Sequence, residues 1–169
     1  MIPASPWVAL HMVKIPRIGR VLDLACGSGR HSRLLAEAGY SVLAVDQNAD
    51  ALAGLSGVQG VKAVQHDLEG EVWPLGNELF SGIVVTNYLW RPRLPDLLNQ
   101  LASGGVVIYQ TFMLGNEAYG KPSNPDFLLR PGELRQHIAE AGLRELAFEE
   151  GFVASPKPAM VQSICAVRD

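Results

Sequence analysis

The chain is poor in the residues that most often build a metal or redox centre. It has two cysteines and four histidines in 169 residues, and none of them falls into a Cys-x-x-Cys or His-x-x-x-His spacing. Cys26 and Cys165 do not make a disulfide framework. His11, His31, His66 and His137 are too scattered to read as a ligand set, so no metal site is expected. No apolar run approaches the ~20 residues that cross a bilayer, and the first residues lack the apolar segment of a secretion signal. A cytoplasmic protein with no membrane partner is expected. Positive charge is also short: 14 Lys and Arg against 17 Asp and Glu leave a net charge of −3. A sequence-independent nucleic-acid surface needs clustered cations, so nucleic acid is not expected as a partner. The absence of Gly-x-Ser-x-Gly and of Gly-Lys-Ser/Thr removes the hydrolase elbow and the P-loop.

What is present is a globular composition, 48% hydrophobic, read as one domain over residues 1–169. The informative stretch is Val21-Leu22-Asp23-Leu24-Ala25-Cys26-Gly27-Ser28-Gly29-Arg30-His31-Ser32. It reads as a short buried strand, a tight turn and the opening of a helix. Glycine at 27 and 29 admits backbone angles closed to other residues and lets a ligand come close. The unpaired N–H groups at the helix start suit a carboxylate or phosphate. A dinucleotide fingerprint would place a third glycine where Ser32 stands. Asp23, four residues ahead of Gly27, would repel a phosphate but favour an ammonium or sulfonium.

On these residues the chain resembles the class I S-adenosylmethionine-dependent methyltransferases, whose first motif is acid-x-x-x-Gly-x-Gly. The resemblance implies a Rossmann-like, doubly wound α/β fold: a mostly parallel seven-stranded sheet with the last strand antiparallel, in three α/β/α layers. The order of elements fits. Ser5-Pro6-Trp7 starts a helix that ends before Pro16, with Trp7, Val8, Leu10 and Val13 as its apolar residues. Residues 30–38 form the next helix and 41–45 the second strand. Asp46-Gln47 at its tip is placed to accept from ribose hydroxyls, a feature that nicotinamide-binding folds share. A helix at 49–55 and a strand at 61–65 follow, then His66-Asp67-Leu68. In the resembled family an acid and the next backbone group at this place read adenine, which implies that role for Asp67 and Leu68.

Residues 80–86 are a fourth, buried strand, and Asn87-Tyr88-Leu89 follows at the carboxyl edge where open α/β sheets bind ligands. This is not the Asn/Asp-Pro-Pro-Tyr with which exocyclic-amine methyltransferases grip a planar nitrogen, and Ser81 stands where relatives often have Asp. A helix at 95–102 is expected to stop at Gly104-Gly105, ahead of a strand at 106–111. Residues 112–130 show no periodicity and read as a lid. A helix from Pro131 to Ala141 and strands at 143–151 and 160–167 complete the chain. The stretches from Asn87 to Pro92 and from Lys121 to Leu134 resemble small bacterial proteins of the tellurite-resistance methyltransferase type.

The implied donor site comprises Asp23, Ala25, Gly27, Ser28, Gly29, His31, Asp46, Gln47, Asp67, Leu68 and Asn87, with S-adenosylmethionine as cofactor and S-adenosylhomocysteine as product. Tyr88, Arg91 and Tyr119 face the substrate side, with Lys121 and Arg130 as further cations for an anionic one. Methyl transfer needs alignment and exclusion of water more than a dedicated base. If a base is used, Tyr88, Tyr109, Tyr119 and His31 are the candidates. The expected partner is a small-molecule or metalloid acceptor, and the protein a monomer or homodimer. Two other readings stand beside this one: a donor-binding subunit acting on RNA or protein, and a nicotinamide-dependent oxidoreductase.

Overall fold

The computed structural model describes residues 2–169. Its central feature is β1 (Val21–Leu24), buried along its whole length as a strand covered on both faces must be. Parallel to it lie β2 (Val42–Asp46), β3 (Val61–Gln65), β4 (Phe80–Thr86) and β5 (Leu101–Phe112). The last two strands are β6 (Arg144–Val153) and β7 (Ala159–Val167). The sheet order is β3-β2-β1-β4-β5-β7-β6. β7 runs antiparallel to both its neighbours, so it alone is reversed. This is the Rossmann-like methyltransferase arrangement that the resemblance implies.

Helices cover both faces. On one lie α1 (Pro6–His11), α2 (Arg30–Glu37) and α3 (Ala49–Ala53). There Trp7, Val8 and Leu35 pack against Val21, Val84 and Ile108, while Leu52 meets Ala44. On the other lie α4 (Leu94–Leu98) and α5 (Glu133–Glu140), where Leu97, Leu134 and Ile138 meet Leu22, Ile83 and Val107. Leu35 is fully buried, and its truncation to alanine would cost about 2–5 kcal/mol.

Two expectations need correction. Leu10 and Val13, read as apolar residues of one helix ending before Pro16, are 66% and 75% exposed, and Val13 lies beyond α1 in the 3-10 turn Met12–Lys14. α1 is only six residues long, so its buried stripe holds Trp7, Val8 and His11 and leaves the opposite side in solvent. The helix expected over 95–102 ends at Leu98, because the chain from Leu101 already pairs with Phe80. Gly104, at φ +78°, therefore bends a strand rather than stopping a helix. At the start of α1, Ser5 caps as expected, accepting from the Val8 N–H at 3.4 Å. The stretch at 112–130 is tied to the body: Leu129 N–H donates to Phe112 O and Leu114 N–H to Leu129 O. Asn116 holds both Pro122 and Met160 by its side-chain amide.

Candidate functional site

The chain winds from β1 to β3 on one side and from β4 onward on the other, so the crevice between the carboxyl ends of β1 and β4 is the switch point where such sheets bind ligands. A cleft of about 790 Å³ lies there. Ala25, Cys26, Gly27 and Ser28 of the loop after β1 form one wall, and Thr86 and Asn87 at the end of β4 form another. Ile2, Pro3, Phe112, Pro156 and Lys157 close it from above, with Arg30 at its side.

Backbone strain is concentrated at this cleft. Among the described residues, only Ala25 (φ 53°) and Asn87 (φ 56°) are non-glycine residues in the left-handed region, and both are wall residues. Such conformations cost free energy and persist where the surroundings impose them, which is characteristic of ligand clamps. Gly27 needs its glycine for a similar angle, φ +56°. Gly29 needs its own for space as well, since a Cβ there would lie 2.5 Å from the Leu55 side chain.

The acids sit around the loop rather than in the cleft wall. Asp46 bridges two loops, one carboxylate oxygen accepting from Gly27 N–H at 2.8 Å and the other from Asn48 N–H at 2.9 Å. Asp67 accepts from Glu69 N–H at 2.9 Å in an exposed turn. Gln47 is exposed beside it and Leu68 is buried in the core. Asp23 is 1% exposed behind the glycine loop and receives the Ser32 hydroxyl at 2.6 Å. Burial outweighs that bond and raises its pKa to about 7.

His31 is also behind the wall. Its Nε2 accepts from Ser5 N–H at 2.9 Å, which places the proton on Nδ1, facing Thr86 Oγ1 at 3.3 Å. Burial, then the nearby Arg30, lower its pKa to about 4, so it is a neutral brace at physiological pH. With Arg30, whose guanidinium donates to Pro3 O at 2.8 Å, it straps the N-terminal segment across the cleft.

The expected substrate-side residues are spent on structure. Arg91 donates to both oxygens of buried Glu133 at 2.7 and 2.8 Å, and to the carbonyls of Asp126 and Leu128. It therefore offers no open fork to an anion. Burial alone would raise the Glu133 pKa. The bonds from Arg91, Arg130 N–H and His137 overcome that and hold it at about 2. Tyr109 is buried and gives its hydroxyl to Tyr88 O at 2.7 Å. Tyr88 gives its own to Glu69 at 3.1 Å. Burial pushes both phenol pKa values upward, which leaves each phenol un-ionised at physiological pH. Tyr119 stacks on Phe152 at 5.2 Å, half exposed on the outer surface. Lys121 and Arg130 are exposed.

Ala25, Gly27, Ser28 and Asn87 are thus brought together around one cleft, while Asp23 and His31 support it from behind. Sequence reasoning missed Arg30, Lys157, Thr86 and Phe112 as wall residues. Arg30 follows the loop directly and its place was readable. Lys157 reaches the cleft from the β6–β7 turn, and no local pattern links it to the glycine loop.

Comparison with known proteins adds three likenesses and a family. Residues 7–136 match the family model described as Tellurite resistance protein TehB. A protein-L-isoaspartate O-methyltransferase of Chlorobaculum tepidum is 35% identical over 123 residues, covering 68% of this chain and 56% of the relative. A tRNA U34 carboxymethyltransferase of Methylococcus capsulatus is 30% identical over 165 residues, covering 82% of this chain and 49% of the relative. The chain thus spans about half the length of these curated relatives. A TehB-like SAM-dependent methyltransferase from Corynebacterium glutamicum superposes with a TM-score of 0.70 at 19% identity, over 96% of this chain and 87% of that one.

Proposed function

Because the chain belongs to the TehB family of tellurite resistance proteins, we propose that it is an S-adenosylmethionine-dependent methyltransferase acting on a small-molecule or metalloid acceptor. The observation that carries this reading is the cleft at the β1–β4 switch point, whose loop and facing strand end both hold strained residues, Ala25 and Asn87. When bound, the donor supplies an electrophilic methyl group on a sulfonium. The chain's part is to hold that group in line with the acceptor and keep water away.

The residues fit such a donor. Asp46 keeps lone pairs beyond its two backbone bonds and stands where the ribose hydroxyls belong. Asp67 and Leu68 flank the adenine position. Asp23 acts from beneath the loop on the donor's ammonium, and Arg30 and Lys157 in the wall suit its carboxylate. Ile2, Pro3, Phe112 and Pro156 add apolar surface to the cleft. Tyr88 and Tyr109 do not serve as bases, since burial moves both away from ionisation. The acceptor therefore arrives as a ready nucleophile, such as a thiolate or a metalloid oxyanion. The stretch at 112–130 acts as a wall ordered against the body.

Calorimetric titration with S-adenosylhomocysteine and, in parallel, NAD tests the donor. Micromolar binding of the first alone is expected, and binding of NAD alone would overturn the reading. Turnover on small thiols, amines, oxyanions and metalloid salts then tests the acceptor. Donor binding without any such turnover would favour a partner-dependent enzyme, since two relatives are named for action on protein and tRNA.

A further inference from the structure

A second cavity, of about 230 Å³, opens between α1 and the ends of β6 and β7. We propose that it binds a small organic ammonium ion, one apolar ring or chain carrying a single positive charge. The site is separate from the donor cleft and stands whether or not the chain transfers methyl groups.

The cavity's apolar walls are Pro6, Trp7, Leu10, Phe152, Val153 and Val161. Trp7 gives its indole N–H to Ile164 O at 3.1 Å, so its ring presents only carbon and π surface to a ligand. Leu10, 66% exposed, has no place in the core and sits at the rim instead. The polar floor is already paired: Ser5 Oγ donates to Gln110 Oε1 at 2.7 Å, and Gln110 Nε2 donates to Ser163 Oγ at 2.8 Å.

The exception is Glu149. It pairs across the sheet with Ser163, which puts its side chain on the α1 face. There its charge is felt by His11, working against the lowering that burial and Lys14 impose on that ring. Among the described residues its carboxylate has no hydrogen-bond donor and no ion-pair partner, unlike its neighbour Glu150, which also lines the cavity but accepts from Gln162 Nε2 and Gly132 N–H. The nearby Lys14 is engaged by His11 Nδ1 at 2.6 Å, and His11 itself is kept neutral. An exposed carboxylate without a protein partner, at the mouth of a half-closed apolar cavity that also holds an indole, attracts a cation with a hydrophobic body. The volume lies just below the ~300–1,000 Å³ of drug-sized sites, which sets the ligand at one ring.

The test is calorimetric titration of the whole chain with 2-phenylethylamine and with its neutral counterpart 2-phenylethanol, repeated on Glu149→Gln. Glu149 is exposed on an edge strand, so the variant keeps the fold, which its melting curve checks. Saturable binding of the amine is expected, about tenfold or more tighter than the alcohol, the effect of one charge-assisted hydrogen bond. That preference should vanish in Glu149→Gln, with S-adenosylhomocysteine affinity unchanged. Equal binding of amine and alcohol, no saturable amine binding, or an amine preference that survives the substitution would each overturn the site. So would competition between the amine and S-adenosylhomocysteine. Failure of S-adenosylhomocysteine to bind by itself bears on the methyltransferase reading alone.

Discussion

The two halves of the sheet's carboxyl rim use their polar residues in opposite ways. In the half formed by the loops after β1, β2 and β3, strained backbone at Ala25 and Gly27 lines the cleft, and the carboxylates of Asp46 and Asp67 stand around it with acceptor capacity to spare. In the half that follows β4, the polar groups satisfy one another. Arg91, Glu133 and His137 form one knot, and Tyr109 and Tyr88 are tied to Tyr88 O and Glu69. The second half is a frame apart from Asn87, Phe112, Pro156 and Lys157, which line the cleft, and under the proposed function the first half is the socket. An arginine or tyrosine near a rim is therefore evidence for a ligand only while its donors are free.

Substitution should separate frame from socket, and the largest effect belongs to the frame. Glu133→Ala leaves Arg91 and His137 without their partner and should cost about 3–5 kcal/mol in urea unfolding. Its pKa is held at about 2, below the ordinary 4.5. Its contribution is thus present above pH 4.5 and lost as the pH falls through about 2, so the variant should lack this part of the acid unfolding. A loss under about 1 kcal/mol would mean that the knot is ornamental.

Asp46→Ala should weaken S-adenosylhomocysteine by about 1–3 kcal/mol in calorimetry, the worth of charged hydrogen bonds. An unchanged affinity would place the ribose elsewhere.

Asp23 gives a pH-dependent signal. Its folded pKa is raised from the ordinary 3.8 to about 7 by burial, so the folded state holds the proton more tightly. The stabilisation is complete below about pH 4 and lost as the pH rises through about 7. Asp23→Asn should flatten the fall in Tm across that range. In the wild type, S-adenosylhomocysteine should bind more tightly as the pH rises through 7, because its ammonium favours the ionised acid, and the variant should lose this trend. A pH-independent wild-type affinity would detach Asp23 from the socket.

Tyr119→Ala removes only a half-exposed stack on Phe152, worth about 0.5–1.5 kcal/mol. Donor affinity should not change. A drop in it would move the outer loop into the socket.

The strands at 61–65 and 80–86 were legible to the residue, because each is a short β-branched stretch bounded by turn residues, which needs no distant information. The glycine loop was legible for the same reason: Ala25, Gly27 and Ser28 are neighbours in sequence and in the wall. Leu10 misled because a six-residue helix has one buried stripe, and periodicity alone does not say which side meets the sheet. Arg91 misled because its partner Glu133 lies 42 residues away. Lys157, Ile2 and Pro3 reach the cleft only once the sheet has brought both ends of the chain together.

The hydrogen bond from Trp7 to Ile164 spans 157 residues, and it orders events in time. Translation at ~5–20 residues per second delivers α1 on the order of ten to thirty seconds before the strand that receives its indole. During that interval the Trp7 indole N–H lacks the carbonyl that receives it, so α1 is fully seated only when β7 pairs.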